Sequence, residues 1–358
     1  MKNLFTILCI FSFMLSNAQN YQSAESVAYD EANDRWLVAN GSNIIIDDGN
    51  GNLSVFGTMS ATHGMEIIGN ILYALDSNVL RGYDLDTAAQ VMSLSISGVG
   101  FLNGMANNGV DQLYVTDFSL GDIHQIDVSD IDNPTSTILT SNAGTSPNGI
   151  LFDGDNNRLL FVTFTSNASI RQLDLTNNSV SDVIADTGLG NIDGIIYSES
   201  LDEFYVSSWN PAAITRYTSD FSESAIIDVP SINNPADIDI KDVGGTVTIG
   251  IPIFNNVLFA DVEDPLAIEE AVLDSIQFSL SENPITSSSI ISFTLQEASQ
   301  VSMSVYSIDG KLIRTLFSEN NSIGEKQVSL ESSSLARGMY LLNITLNGQV
   351  LSKKILVN

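Results

Sequence analysis

Glu25, His63, Asn103, Asn148 and Asp193 hold the same place in five copies of one short pattern. The copies read Glu25-Ser26-Val27, His63-Gly64-Met65, Asn103-Gly104-Met105, Asn148-Gly149-Ile150 and Asp193-Gly194-Ile195. A sixth, Ala236-Asp237-Ile238, lacks the polar first residue, and Asp237 is a further candidate contact. Two carboxylates and two amides are hard oxygen donors of the kind calcium gathers, about six to eight at a time. Zinc is disfavoured, because the only cysteine is Cys9 and the only histidines are His63 and His124. Magnesium tolerates an all-protein cage poorly. A histidine beside oxygen ligands is a candidate base for activating water.

These residues converge only if the chain repeats in space as it does in sequence. The copies step by 38, 40, 45, 45 and 43 residues. Within each, short apolar runs rich in Ile, Val, Leu and Phe are broken by Asn, Asp and Gly, which reads as strands and hairpin turns. In the fourth copy the later strands are expected at Arg158–Phe164, Ser169–Leu175 and Ser181–Ile184. Such a period is the mark of a β-propeller, whose sheets pack radially around an axis. The predicted fold is all-β: a six-bladed β-propeller followed by a small Ig-like β-sandwich. Blades are expected to start near residues 23, 62, 101, 146, 191 and 234. The last one is a strand short, so Gln19–Gln22 or part of 266–273 is expected to complete it. Asp117, Phe164 and Trp209 end second strands, from where they could line the same mouth; the plainer reading is rim or core, and His124 reads as structural.

The first 18 residues read as a signal peptide. Lys2 precedes an apolar stretch from Leu4 to Leu15, and Ser16-Asn17-Ala18 supplies small residues for cleavage. Cys9 leaves with it, so the mature chain forms no disulfide. No later stretch is long and apolar enough to span a membrane. Residues 276–358 hold six basic and six acidic side chains, so the net charge of −30 belongs to the repeat region. That argues against nucleic acid or an anionic membrane as partner. The expected organisation is a signal at 1–18, a propeller at 19–265, an acidic linker at 266–275 and a separate module at 276–358. The module's strands are expected at Ile290–Leu295, Gln300–Ile308, Lys311–Phe317, Glu325–Leu330, Met339–Leu346 and Val350–Val357.

That module resembles the C-terminal sorting domain of the type IX secretion system of Bacteroidetes-type bacteria. The resemblance rests on Asn283-Pro284, Tyr306-Ser307-Ile308-Asp309-Gly310-Lys311-Leu312, Gly324-Glu325, Leu335-Ala336-Arg337-Gly338-Met339-Tyr340 and the terminal Lys353-Lys354-Ile355-Leu356-Val357. It implies passage across the outer membrane by that machinery, then release or surface attachment.

Residues 23–265 resemble the senescence-marker-protein/gluconolactonase family, with its relatives diisopropylfluorophosphatase and paraoxonase. The matching segments are Glu25 to Asp30 with Arg35 to Asn40, Ser146-Pro147-Asn148-Gly149-Ile150 and Asp193-Gly194-Ile195. His63-Gly64 is similar to the paraoxonase histidine-glycine. The resemblance implies a calcium ion in the central tunnel, held by Glu25, Asn103, Asn148 and Asp193, with His63 or Asp193 as base. The chain departs from the family at Val27, where a proline is usual, and at Leu102 and Gly104, where an arginine and an aspartate are common.

Two readings follow. One is a secreted calcium-dependent hydrolase acting on a small lactone or ester. The other is a non-catalytic NHL-like binding propeller, in which glycines let inner strands crowd the axis and the polar residues hold a structural ion or face a protein or glycan partner.

Overall fold

Alternating apolar strands with one residue in two turned inward need a second layer to cover them. In this chain each sheet finds that cover in its neighbour. A computed structural model describes residues 20–243, 246–263, 278–295, 298–307, 311–321, 323–346 and 349–357. The signal at 1–18 and the linker at 266–275 lie outside the described residues. The chain divides into two compact units between Val262 and Glu263.

The first unit is a succession of six antiparallel sheets. Their innermost strands are Ser26–Asp30, Met65–Ile68, Leu102–Asn107, Pro147–Asp153, Gly190–Ser198 and Asp239–Val243. Five sheets have four strands in simple up-and-down order, and the sixth has three. In the fourth the later strands are Arg158–Thr163, Ile170–Asp174 and Ser179–Ile184, close to the expected bounds.

Apolar layers join each sheet to the next. Leu37 and Ile44 of the first sheet pack with Met65, Leu72 and Tyr83 of the second. The second and third share Leu75, Leu80, Leu113 and Val115, and the third and fourth share Tyr114, Ile123, Leu159 and Phe161. Leu160, Val162, Ile195 and Val206 join the fourth to the fifth, and Tyr205, Ile214, Val247 and Ile249 the fifth to the sixth. Each fully buried side chain of this kind contributes roughly 1.5–3 kcal/mol.

Among the described residues the sixth sheet has three strands. Residues 20–23 form no strand, and 266–273 lie outside the described residues. Where the first and sixth sheets meet, Trp36 and Val38 pack with Val257, and the Trp36 and Phe259 rings lie 5.4 Å apart. The Ala24 N–H donates to Phe254 O at 2.6 Å, and the Asp237 N–H to Glu25 O at 3.1 Å. Tyr29 N–H donates to the Asp239 carboxylate at 2.7 Å. The seam is a short bridge plus an aromatic layer.

The second unit places two sheets around one core. Ser279–Leu280, Ser288–Leu295 and Gly324–Glu331 form one, and Leu312–Asn321, Ser299–Ser307, Gly338–Leu346 and Gln349–Val357 the other. Ile291, Phe293, Met303, Val305, Leu342, Ile344 and Ile355 are buried together between them. Asn283 ties the module's start to its end: its Oδ1 accepts from Leu356 N–H at 2.9 Å. Among the described residues, no helix is long and apolar enough to cross a membrane.

Candidate axial site

The repeated dipeptides sit in β-bulges. Asn103-Gly104, Asn148-Gly149 and Asp193-Gly194 are each an inner-strand pair facing a single residue of the second strand, Thr116, Val162 and Ser207 respectively. A bulge leaves one residue unpaired, bends the strand and re-aims a side chain. At two of the three a hydroxyl supplies the missing partner. Gly104 N–H donates to Thr116 Oγ1 at 2.9 Å, and Thr116 donates to Asn148 O at 2.8 Å. Gly194 N–H donates to Ser207 Oγ at 2.8 Å, and Ser207 donates to Ala236 O at 2.7 Å. Each hydroxyl therefore satisfies its own bulge and anchors the next inner strand.

Glycine in the second position has a steric cause. A Cβ on Gly64 would stand 2.6 Å from Asn103 O, one on Gly149 2.5 Å from Asp193 O, and one on Gly194 2.7 Å from Ile238 N. At the seam the position is filled by Ser26 and Asp237, which face each other, with Ser26 Oγ donating to Asp237 at 3.3 Å.

This packing brings Asp193 within electrostatic reach of Glu25, Asn148 and Asp237. Asn103, Asn148 and Asp193 are buried, and Glu25, His63 and Asp237 are partly so. Burial pushes the Asp193 carboxyl well above the usual range, and the nearby Glu25 and Asp237 charges push the same way. Hydrogen bonds from Asn148 and from the Trp209 indole, whose N–H also donates to Pro235 O at 3.1 Å, oppose that rise. Burial raises Glu25 to about 7. Asp237 also rises to about 7, through burial and then through Asp239 and Glu25, against its bond from Ser26.

Two further carboxylates extend the group. Glu66 is raised by burial, then by Asp239 and Asp237, although Asn107 donates to it at 2.6 Å. Asp239 is lifted to about 6 by burial, against N–H bonds from Tyr29 and Ile240. None of the described ion pairs includes any of these five acids. Buried carboxylates without a cationic partner must take up protons or a cation.

The donor set suits calcium on chemistry. Among the described residues no three His, Cys, Asp or Glu side chains form a group able to hold a metal ion alone. A cation at Glu25 and Asp193 would draw its remaining ligands from the Asn103 and Asn148 amides and from water, which calcium accepts.

His63 stands apart from the acids. Burial lowers it to about 4, so the imidazole is neutral at neutral pH. Its Nδ1 is buried without a hydrogen-bond partner, and no described hydrogen bond joins it to Asp193. Its ring meets Phe101 edge-on at 4.6 Å. From there an arc of rings runs through Phe118 at 5.7 Å and Phe164 at 5.9 Å to Trp209 at 4.9 Å. The rings come from the second to fifth sheets and end beside Asp193. Phe164 and Trp209, read from sequence as rim or core, belong to this arc. His124 is buried in the third sheet, away from the inner strands. A groove of about 540 Å³ lined by Asn107, Asp153, Tyr197 and Asp202 includes none of the axial residues.

Sequence reasoning passed over Glu66 and Asp239, Phe101 and Phe118, and the bulge hydroxyls. Glu66 and Asp239 had a signal. Each lies two residues after the glycine position, where the other copies carry Ala28, Ala106, Leu151 and Ile196.

Comparison with known proteins fits this architecture. Residues 283–358 match the family model described as a secretion system C-terminal sorting domain. That match indicates secretion or cell-surface display through type IX secretion, and engagement with its machinery. A comparison with curated proteins yields no match. Among solved structures, a chain of a nidogen/laminin complex aligns over 64% of this chain and 93% of its own, at 12% identity and a TM-score of 0.52. A calcium-binding protein, regucalcin, from Agrobacterium tumefaciens aligns over 66% and 83%, at 15% identity and a TM-score of 0.51. A chain of a mitotic checkpoint complex aligns over 73% and 100%, at 12% identity and a TM-score of 0.50. At these identities the likeness is one of fold. The chain is thus a secreted β-propeller with a C-terminal sorting module.

Proposed function

We propose that the propeller binds calcium at its axis and hydrolyses a small lactone or ester there. The observation that carries this reading is Asp193: buried, coupled to Glu25 and Asp237, and in none of the described ion pairs. Glu25 and Asp193 supply the two negative charges, and Asn103 and Asn148 add neutral oxygens. A bound calcium ion supplies a Lewis acid that polarises an ester carbonyl. Asp193 is committed as a ligand, which leaves His63 as the base. Its unpartnered Nδ1 accepts a proton from the attacking water. The propeller spans 19–265, exported behind the signal at 1–18 and joined by the linker at 266–275 to the sorting module at 276–358. The likeness to a calcium-binding propeller supports the choice of ion.

The test is thermal unfolding of the mature chain, residues 19–358, in EDTA and in calcium, followed by a lactone and ester screen. Calcium should raise the melting temperature in wild type and fail to do so in Asp193→Ala, because only the folded state holds the ion. Glu25→Gln and Asp193→Asn should then abolish turnover of any substrate found. Full activity in both variants would remove the mechanism.

A second reading, a non-catalytic binding propeller, is favoured by one feature. Close approach alone accounts for Gly64, Gly149 and Gly194. It expects calcium-dependent stability with no turnover in the same screen.

A further inference from the structure

Asp117 ends the second strand of the third sheet and is completely buried. It does not line the axis. Its carboxylate takes four backbone N–H donors from two separate segments. Gly100 donates to Oδ2 at 2.6 Å, and Phe101 donates to Oδ1 at 3.1 Å. Ser119 and Leu120, in the turn that follows, donate to Oδ1 at 3.0 Å each. Burial alone would raise this carboxyl, yet the four donors together hold it below the usual carboxylate range. It is therefore charged in the native state, and its bonds are of the strong, charge-assisted kind.

Other sheets use the same position to hold the loop that leads into the inner strand. Asn40 Oδ1 accepts from Gln22 N–H at 2.7 Å and Ser23 N–H at 3.1 Å. Asp76 accepts from the Ser60 hydroxyl at 3.0 Å. In the third sheet the held loop carries Phe101, whose ring rests against His63 of the second sheet. The loop has no slack. A Cβ on Gly100 would stand 2.8 Å from the Ser119 Cβ and 3.2 Å from Asp117 Oδ1. Phe118, in the turn that Asp117 also binds, is the next ring of the arc.

We infer that Asp117 is a positioning residue for the axial site, clamping the Gly100–Phe101 loop so that the Phe101 ring fixes the His63 imidazole at the axial mouth. The functional weight of this clamp rests on the reading of His63 as the base. Its geometry does not, and it can be tested without metal or substrate, so failure of the calcium test leaves the clamp open to its own.

The chain has two histidines, which makes imidazole NMR direct. In the wild-type mature chain, His63 should show contacts to the Phe101 ring and titrate near 4. In Asp117→Ala those contacts should vanish, and the His63 midpoint should rise by about one unit or more towards its ordinary value. His124 provides the internal control. Burial depresses it, and the charges of Asp122 and then Asp117 raise it. Releasing the clamp should therefore leave His124 where it is or lower it, while general loosening of the sheet would raise both histidines. Asp117→Asn keeps one acceptor oxygen and should fall between wild type and Asp117→Ala. If Asp117→Ala does not fold, Gly100→Ala displaces the same loop with the carboxylate intact, and should raise His63 alone. His63 unmoved in the folded variants, or His63 and His124 rising together, would overturn the clamp.

Discussion

A methyl group on Gly149 would stand 2.5 Å from the carbonyl oxygen of Asp193. The residue beside one candidate ligand thus sets how closely the strand bearing another can approach. Gly149→Ala should push the fourth and fifth inner strands apart and destabilise the fold by about 1–3 kcal/mol, the usual effect of overpacking. Urea unfolding measures it. Any calcium-induced stabilisation should shrink as well, because Asn148 and Asp193 are forced apart.

The bulge hydroxyls should matter more than their size suggests. Thr116→Val strands the Gly104 N–H and the Asn148 carbonyl in a buried site. Each unsatisfied group costs about 1–3 kcal/mol. Thr116→Ser keeps both bonds and should unfold close to wild type. The same contrast should hold between Ser207→Ala and Ser207→Thr at the bulge of the fifth sheet, measured by denaturant midpoint.

Metal-free protein should lose stability as pH rises. Glu25 and Asp237 titrate at about 7 in the fold and Asp239 at about 6, all above their unfolded values. A carboxyl raised by folding contributes stability that is fully present below its unfolded pKa and lost as pH climbs through its folded one. His63 runs the other way. Its folded value of about 4 makes it lose stability as pH falls from about 6.5. With Glu66 and Asp193 raised as well, five acids outweigh the two depressed imidazoles, His63 and His124, so the melting temperature in EDTA should fall between about pH 4 and 7. Asp237→Asn should flatten that slope. A melting temperature that climbs across this window in EDTA would contradict the arrangement of acids.

Deleting residues 283–358 should leave the propeller exported to the periplasm and retained there. Fractionation of a host carrying type IX machinery checks this. The full chain should reach the surface or the medium.

That the row falls at the start of each inner strand was legible because its members recur at one position of a repeat. The C-terminal strands were legible from their alternation: Met339–Leu346 and Val350–Val357 are found as Gly338–Leu346 and Gln349–Val357. The contacts at the seam were not. The sequence counts strands, whereas the seam depends on Trp36 meeting Phe259 and on the Asp239 carboxylate taking a backbone N–H. Asp117 looked like a rim residue because its role is written in the N–H groups of Gly100 and Phe101, which carry no side-chain signature. Thr116 and Ser207 were hidden because a bulge shows only when two strands are laid side by side.

The bond between Tyr29 and Asp239 joins residues 210 positions apart. The first sheet therefore gains its second neighbour only when the last sheet has been made. Until then both are left with an open apolar flank, and loop-closure entropy delays their meeting. Contacts of such long range make folding slow. The axis is therefore among the last parts of the propeller to be completed.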